Sequence, residues 1–282
     1  MRISVIGGGL MGSGIAEVCA RSGISVTVVE ADEERAQAAS DRIIRSLDRG
    51  VRAGKLDESE KAEAQERLAF SASFGDVAGC DAAIEAVVES EPIKREVFRE
   101  LDRLLPDAAF LATNTSSVPI MKLAAATERP QRVLGLHFFN PVPVLPLVEL
   151  VRSIMTSEET LEQARSFAQS ALGKTCIESQ DRAGFIVNAL LIPYLLSAIR
   201  MYESGFASRE DIDNGMRLGC AHSMGSLALA DFIGLDTLQA VAESLYEEFR
   251  DPAAVAPAVL NRMVEAGLLG RKTGQGFYEY SS

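Results

Sequence analysis

The sequence of 282 residues predicts an α/β protein, with a mostly parallel sheet domain over residues 1–182 and an all-helical C-terminal domain over residues 183–282. Three observations support this fold class. A short β-branched segment at the start of the chain leads into a glycine-rich turn, and apolar segments then alternate with amphipathic ones. From Gly184 onward only helical patterns remain. With 47% apolar and 24% charged residues, the chain can bury a sizeable core.

The first domain shows a regular alternation of strands and helices. Strands are predicted at residues 2–6, 25–29, 82–88, 109–113, 132–136, 147–151 and 175–178. Helices are predicted from residue 10 to about 22, in two pieces between 32 and 68, and at 92–105, 118–126 and 157–172. Gly54 marks the turn between the two pieces, and Asp57 is a candidate N-cap for the second. Such alternation predicts parallel strands covered by helices on both faces.

The second domain contains five predicted helices, at 184–204, 208–218, 226–233, 235–249 and 256–266, and a glycine-rich tail at 267–282 with an aromatic end. The first of these helices is apolar nearly all round, and helices of that kind are normally buried. We therefore expect it to pack against the sheet domain or against a second subunit.

Composition excludes several classes of function. A net charge of −12 argues against non-specific binding to nucleic acid or to an acidic membrane. No apolar run reaches the roughly 18 residues that span a bilayer, and the first residues leave no room for a targeting peptide. The four cysteines lack metal-ligand or redox spacing and indicate reduced thiols in a cytoplasmic protein. With only two histidines, no His-rich metal site is expected.

A dinucleotide site is predicted at Gly7–Gly12, which fits G-x-G-x-x-G between a strand and a helix. Gly7 permits the tight turn, Gly9 admits the pyrophosphate, and Gly12 lets the helix approach the strand. The next strand ends at Glu30, whose carboxylate would accept hydrogen bonds from the adenosine ribose and repel a 2′-phosphate. This context predicts a Rossmann-like fold that binds NAD; FAD binding and a ligand-free turn are the alternatives.

Candidate catalytic residues follow from the rule that ligands bind beyond the carboxyl ends of parallel strands. His137 follows the strand predicted at 132–136 and is a candidate base, whereas His222 lies in a loop of the helical part. Glu149 interrupts an apolar strand, so it is exposed at an edge or paired, and one possible partner is an imidazole. Asn188 on the apolar helix needs a polar partner, and either interhelical packing or function would supply one.

Several segments together resemble the 3-hydroxyacyl-CoA dehydrogenase family over nearly the whole chain: GGGLMGSGIA, EAVVE, NTSS, GLHFFNPVPVLPLVELV, GFIVNALLIPY, DFIGLD and GRKTGQGFYEY. The chain is most similar to the short bacterial members, the 3-hydroxybutyryl-CoA dehydrogenases. The resemblance implies reversible, NAD-dependent oxidation of a (3S)-3-hydroxyacyl-CoA to the 3-ketoacyl-CoA. It also implies a homodimer formed through the helical domain.

The resemblance further implies a role for each site residue. His137 is the general base, and Glu149 holds it and offsets the charge that it acquires. Ser116 and Asn188 bind the reacting oxygen and the thioester. The expected cofactor contacts are Gly7, Gly9, Leu10, Met11, Gly12, Glu30, Glu89, Lys94, Ser116, Asn140 and Lys272. Ser46, Arg49 and Arg52 lie where the family binds CoA.

Two departures from the family pattern leave chain length and carrier open. Residues 223–226 read Ser-Met-Gly-Ser where the family commonly has Pro-Met-Gly-Pro, and Ala189 stands where it often has arginine. One alternative is the same chemistry on a hydroxyacyl group carried by acyl carrier protein, as in polyketide extender-unit synthesis. Two others are a non-catalytic NAD-binding relative and a dehydrogenase of small 3-hydroxy acids, which typically uses a lysine base. The retained Arg49 and Arg52 favour CoA.

Overall fold

The computed structural model describes residues 1–280, which divide into two compact units, Met1–Asp181 and the part from Arg182 onward. Residues 281 and 282, the end of the predicted tail, lie outside the described residues. An open sheet with helices makes up the first unit, and helices make up the second. The predicted fold class is confirmed.

The first unit contains one eight-stranded sheet with the order β3-β2-β1-β4-β5-β6-β7-β8. The strands are β1 (Arg2–Ile6), β2 (Ser25–Val29), β3 (Leu68–Ser71), β4 (Ala82–Glu85), β5 (Leu111–Thr113), β6 (Val133–Phe138), β7 (Leu147–Arg152) and β8 (Thr175–Gln180). All neighbouring strands pair in parallel except β6 and β7, which are antiparallel. The order reverses at β1, and in such sheets the ligand crevice lies outside this point.

Six helices accompany the sheet: α1 (Leu10–Arg21), α2 (Glu33–Arg52), α3 (Glu58–Glu66), α4 (Glu91–Leu104), α5 (Ile120–Ala124) and α6 (Glu158–Ser166), the last continued by a π-helical turn at Phe167–Ala171. Asp57 caps α3 as predicted and forms a capping box with Glu60, which satisfies two donors at the helix start. The core between sheet and helices is apolar, with Ile3, Val5, Ile84 and Leu136 among its buried residues.

Four element predictions for this unit are corrected. Strand β3 was not predicted, because its four residues follow a charged helix and are held by parallel pairing with β2. Strand β4 ends at Glu85 rather than at 88, since the Val87 amide donates to the Glu85 carboxylate. Strand β6 continues to Phe138, so His137 lies inside the strand, not after it. Strand β7 is antiparallel because the eight residues that precede it are too few for a parallel crossover.

The second unit contains α7 (Val187–Glu203), α8 (Arg209–Gly219), α9 (Ser226–Ile233), α10 (Leu235–Phe249) and α11 (Ala258–Glu265). Helix α7 buries Ile192, Leu195 and Ile199 in the core of this unit, whereas Leu190 is 73% exposed. The apolar surface of α7 is therefore only partly buried in this single chain. No helix in the described residues is long and apolar enough to cross a membrane.

Candidate active site

The glycine-rich turn between β1 and α1 has the geometry that an anionic ligand requires. Gly7 has φ of 92°, a conformation that favours glycine, and a Cβ on Gly12 would lie 1.8 Å from the Gly7 carbonyl oxygen. A Cβ on Gly9 would meet nothing within 4 Å, and no side chain caps the start of α1. The backbone N–H groups of this helix terminus thus face open space, and the residues present fit a pyrophosphate.

Glu30 is held at the end of β2 beside this turn. Its Oε1 accepts a hydrogen bond from the Gly8 amide at 2.6 Å, and it is partly exposed. Arg42 Nη1 and Ser13 Oγ donate to the Gly8 carbonyl oxygen, at 2.5 and 2.7 Å. The carboxylate is therefore fixed where an adenosine ribose would lie in a fold of this kind. Its negative charge opposes a 2′-phosphate there.

His137 and Glu149 form a buried pair across β6 and β7. The antiparallel register sets the two residues directly opposite each other, so their side chains share one face of the sheet. His137 Nδ1 lies 2.6 Å from Glu149 Oε2, with the histidine 6% exposed and the glutamate fully buried. Because a carboxylate only accepts, Nδ1 carries the proton of this hydrogen bond. The Phe139 ring packs edge-on against the imidazole, with centroids 4.6 Å apart.

Asn114 ties the ends of neighbouring strands together next to this pair. Its side-chain Oδ1 accepts from the Phe138 backbone amide at 2.8 Å, and its backbone amide donates to the Glu85 carbonyl oxygen at 2.8 Å. The turn that starts at Asn114 and carries Ser116 is thereby fixed relative to the strand that carries His137.

Glu89 fixes the same turn from the other side. Its Oε1 accepts from Thr115 Oγ1 at 2.5 Å, from the Ser116 amide at 3.0 Å and from both the amide and the hydroxyl of Ser117. Burial raises the pKa of Glu89, but Lys94 and these donors together bring it below its ordinary value. The carboxylate therefore stays ionised and holds Ser116 at the carboxyl end of the sheet.

Comparison with known proteins agrees with this geometry. Residues 2–182 match the family model of the 3-hydroxyacyl-CoA dehydrogenase NAD binding domain, and residues 184–280 match that of the C-terminal domain. A 3-hydroxybutyryl-CoA dehydrogenase of Mycobacterium tuberculosis is 55% identical over 280 residues, which cover 99% of this chain and 98% of that protein. The chain belongs to the 3-hydroxyacyl-CoA dehydrogenase family. It is an NAD-dependent oxidoreductase, and the predictions of family, enzyme class and cofactor are confirmed.

Solved structures of family members share the whole fold. The crystal structure of FadB2 from M. tuberculosis has a TM-score of 0.98 and 55% identity, with 99% of each chain covered. That of the (S)-3-hydroxybutyryl-CoA dehydrogenase of Ralstonia eutropha has a TM-score of 0.93 and 43% identity, and covers 100% of this chain and 99% of that one. The similarity thus extends over both units.

The remaining predicted cofactor residues differ in their surroundings. Leu10 and Met11 begin α1, and Asn140 is exposed just after β6. Lys94 on α4 is buried and pairs with Glu85 at 2.7 Å and with Glu89 at 3.1 Å. In the second unit, Lys272 donates to both carboxylate oxygens of Asp236 at 2.5 Å. Asn188 also belongs to the second unit, half-buried in the first turn of α7.

The residues expected to bind CoA lie together on α2. Arg49 and Arg52 are exposed, whereas Ser46 hydrogen-bonds the buried Glu17 of α1. Burial raises the pKa of Glu17, and Ser46 and Arg21 oppose that rise. The two arginines are thus open to a ligand, while the Ser46 hydroxyl already has a partner inside the protein.

Sequence reasoning missed the side-chain contacts of three polar residues: Glu85 and Asn114 in the first unit and Asp236 in the second. Glu85 carried the same signal as Glu149, an acid within a buried apolar strand, and so should have been expected to be paired. Asn114 was seen only as the start of a polar turn. Asp236 and Lys272 lie 36 residues apart in sequence, and nothing local relates them.

Proposed function

We propose that the protein interconverts short-chain (3S)-3-hydroxyacyl-CoA and 3-ketoacyl-CoA, with 3-hydroxybutyryl-CoA as its substrate. The observation that carries the proposal is the buried His137–Glu149 pair, with a contact of 2.6 Å, in a sheet that also carries the glycine turn. The names of the 55% and 43% identical relatives support the short acyl chain.

His137 acts as general base in oxidation. Its Nε2 takes the proton of the C3 hydroxyl while the Nδ1 proton stays hydrogen-bonded to Glu149. When bound, NAD⁺ supplies the acceptor for the hydride that leaves C3. The imidazole becomes cationic in this step, and the fully buried Glu149 carboxylate stabilises that charge. In reduction the imidazolium returns the proton to the carbonyl oxygen, which becomes the hydroxyl.

Other residues bind and orient the reactants. Ser116 presents its hydroxyl to the reacting oxygen from the turn that Glu89 fixes, and Asn188 binds the thioester region. Gly7, Gly9 and the start of α1, including Leu10, Met11 and Gly12, bind the pyrophosphate. Glu30 binds the adenosine ribose. Glu89, Lys94, Asn140 and Lys272 complete the cofactor contacts.

We assign these tasks to two domains, residues 1–182 for NAD and residues 183–282 for substrate and dimer formation. The exposed Leu190 of α7 supports a homodimer, since an apolar side chain 73% exposed gains by burial against a second copy. The four free cysteines, of which Cys220 is exposed, support a reducing, cytoplasmic location.

CoA is preferred over acyl carrier protein as the carrier. CoA presents phosphate groups, which need cations, and Arg49 and Arg52 stand exposed on α2 for that purpose. Ser46 lies on the same helix and belongs to the proposed substrate surface, although its hydroxyl bonds Glu17 in this structure. The two arginines can bind the phosphates although the chain as a whole carries a net charge of −12.

The experiment mixes the purified protein with NADH and acetoacetyl-CoA and follows the loss of NADH absorbance. Longer 3-ketoacyl-CoAs and the matching acyl carrier protein thioesters form the rest of the panel. The proposal is supported if NADH is oxidised and the rate is highest with acetoacetyl-CoA. Turnover only with carrier-protein thioesters, only with free 3-keto acids added to the same panel, or with no substrate despite NADH binding contradicts it.

A further inference from the structure

Glu85 is a buried carboxylate for which the proposed mechanism has no task. Its side chain is fully buried at the end of β4, and that of Lys94 on α4 is 1% exposed. Lys94 Nζ lies 2.7 Å from Glu85 Oε1 and 3.1 Å from Glu89 Oε2. One ammonium group is thus shared by two carboxylates. When all three are ionised, the group carries one net negative charge.

Burial raises the pKa of Glu85, and the Lys94 ammonium group, the Thr113 hydroxyl and the Val87 amide oppose that rise. Thr113 Oγ1 accepts from the Thr115 amide at 3.1 Å and donates to Glu85 Oε2 at 2.7 Å. Glu85 Oε1 accepts from the Val87 amide at 2.7 Å as well as from Lys94. Both carboxylate oxygens thus accept hydrogen bonds, and the Lys94 ammonium group, which only donates, favours the ionised carboxylate from 2.7 Å. A buried charge of this kind is retained only when it is paired.

The order of the strands relates this group to one half of the cofactor. A dinucleotide crosses the sheet where the strand order reverses, which is at β1. Glu30 at the end of β2 belongs to the adenosine half. The nicotinamide half therefore lies beyond the carboxyl ends of β4 and β5, whose last residues, Glu85 and Thr113, are paired in register.

We propose that Glu85 is a positioning residue that acts through Lys94 and sets the preference of the site for oxidised over reduced cofactor. The nicotinamide ring is cationic in NAD⁺ and neutral in NADH, so an uncompensated ammonium group nearby would disfavour NAD⁺. Glu85 cancels that charge, and Glu89 then leaves the group negative, which favours the cationic ring. Lys94 is kept as a hydrogen-bond donor with a fixed direction. This inference rests on the proposed NAD-binding function.

The test measures the Kd of NAD⁺ and of NADH by isothermal titration calorimetry at constant ionic strength, with the full chain and no substrate. In Glu85→Gln the ratio of the Kd of NAD⁺ to that of NADH is expected to rise about three- to tenfold. Glu96→Gln is the matched control, because this side chain lies on α4, the helix of Lys94, is 66% exposed and pairs with Arg99. Solvent screens such a charge, so the ratio should not change.

A double variant separates charge from structure. Glu85→Gln combined with Lys94→Met removes a cation and an anion together, so the group keeps one net negative charge. Both affinities can fall, since Lys94 is a cofactor contact, but the ratio should return to within about twofold of wild type. If Glu85→Gln alone does not fold, the ratio of the two Kd values in the double variant still tests the proposal. A ratio that stays raised by severalfold in it, or that never rises in Glu85→Gln, overturns the proposal.

The reduction potential of the bound cofactor gives an independent readout. Each tenfold change in the ratio of the two Kd values corresponds to about 30 mV in the potential of a two-electron couple. Glu85→Gln is expected to raise the reduction potential of the bound cofactor relative to that of the free cofactor by the corresponding amount. Glu96→Gln should leave this potential unchanged. Wild-type protein that binds no NADH at all would instead contradict the proposed function. Normal binding with an unmoved ratio would contradict only this inference.

Discussion

The substitution Glu149→Gln tests the charge that the proposed mechanism assigns to the His137–Glu149 pair. Glutamine keeps the size and a hydrogen-bond acceptor for Nδ1, which lies 2.6 Å from the carboxylate in the wild type. What it removes is the negative charge beside an imidazole that becomes cationic in the oxidation step. The variant should therefore bind cofactor normally and fail in proton transfer.

The size of the effect follows from the geometry. For charge centres about 4 Å apart and an effective dielectric constant of about 20, the attraction is about 4 kcal/mol. A hydrogen bond to a charged group contributes about 1.5–3 kcal/mol, which sets the lower bound. Because about 1.4 kcal/mol corresponds to a tenfold change in rate, kcat should fall about 10- to 1000-fold.

The assay is steady-state oxidation of 3-hydroxybutyryl-CoA with saturating NAD⁺, together with the Kd of NADH for each variant. Glu178→Gln is the matched control: it makes the same change on β8, where Glu178 is partly exposed and pairs with Arg152 and Arg165. Surface pairs of this kind contribute little, so the control should keep wild-type kcat. The reasoning would be refuted by a Glu149→Gln enzyme that is shown to be folded by a thermal unfolding measurement and whose kcat is within threefold of the wild-type value.

Three further predictions concern separate parts of the molecule. His137→Gln should abolish turnover and leave the Kd of NADH within about twofold, as measured by titration, because only the base is lost; substantial turnover would contradict its role. Glu30→Gln should raise kcat/KM for NADPH relative to NADH about tenfold, since the charge that repels the 2′-phosphate is gone; an unchanged ratio would count against that role. Asp231, 1% exposed, accepts from the Phe277 and Tyr278 amides, and burial raises its pKa. Its protonation stabilises the fold below the ordinary aspartate pKa, and this contribution is lost as pH rises through the raised value. The unfolding free energy of wild type minus that of Asp231→Asn, measured with urea, should thus fall as pH rises. A rise in this quantity would contradict the assignment.

Local sequence was enough for most of the fold. The β-branched runs, the glycine turn and the alternation with amphipathic helices predicted the positions of seven of the eight strands along the chain, because each of these strands carries its own apolar pattern. The missing strand, β3, has only four residues, Leu-Ala-Phe-Ser, and it depends on pairing with β2. Such a strand is specified by its neighbour more than by its own residues.

Site residues were found where their chemistry conflicts with their surroundings, and missed where only tertiary contacts relate them. Glu149 stood out as an acid within an apolar run. Glu85 lies in the same kind of setting, within the strand predicted at 82–88, and its partner Lys94 comes from the following helix. The pairing of Lys272 with Asp236 joins a short turn near the end of the chain to the first turn of α10, and no periodicity in sequence indicates it.

The orientation of β7 shows how the catalytic pair could have been found from the sequence alone. Eight residues separate β6 from β7, too few for a parallel crossover, so the two strands must form a hairpin. In that hairpin, paired residues lie equally far from Pro143, and His137 and Glu149 satisfy this symmetry. A shift of one position would turn the glutamate to the opposite face of the sheet and separate the pair. The register of this hairpin is therefore itself a catalytic requirement.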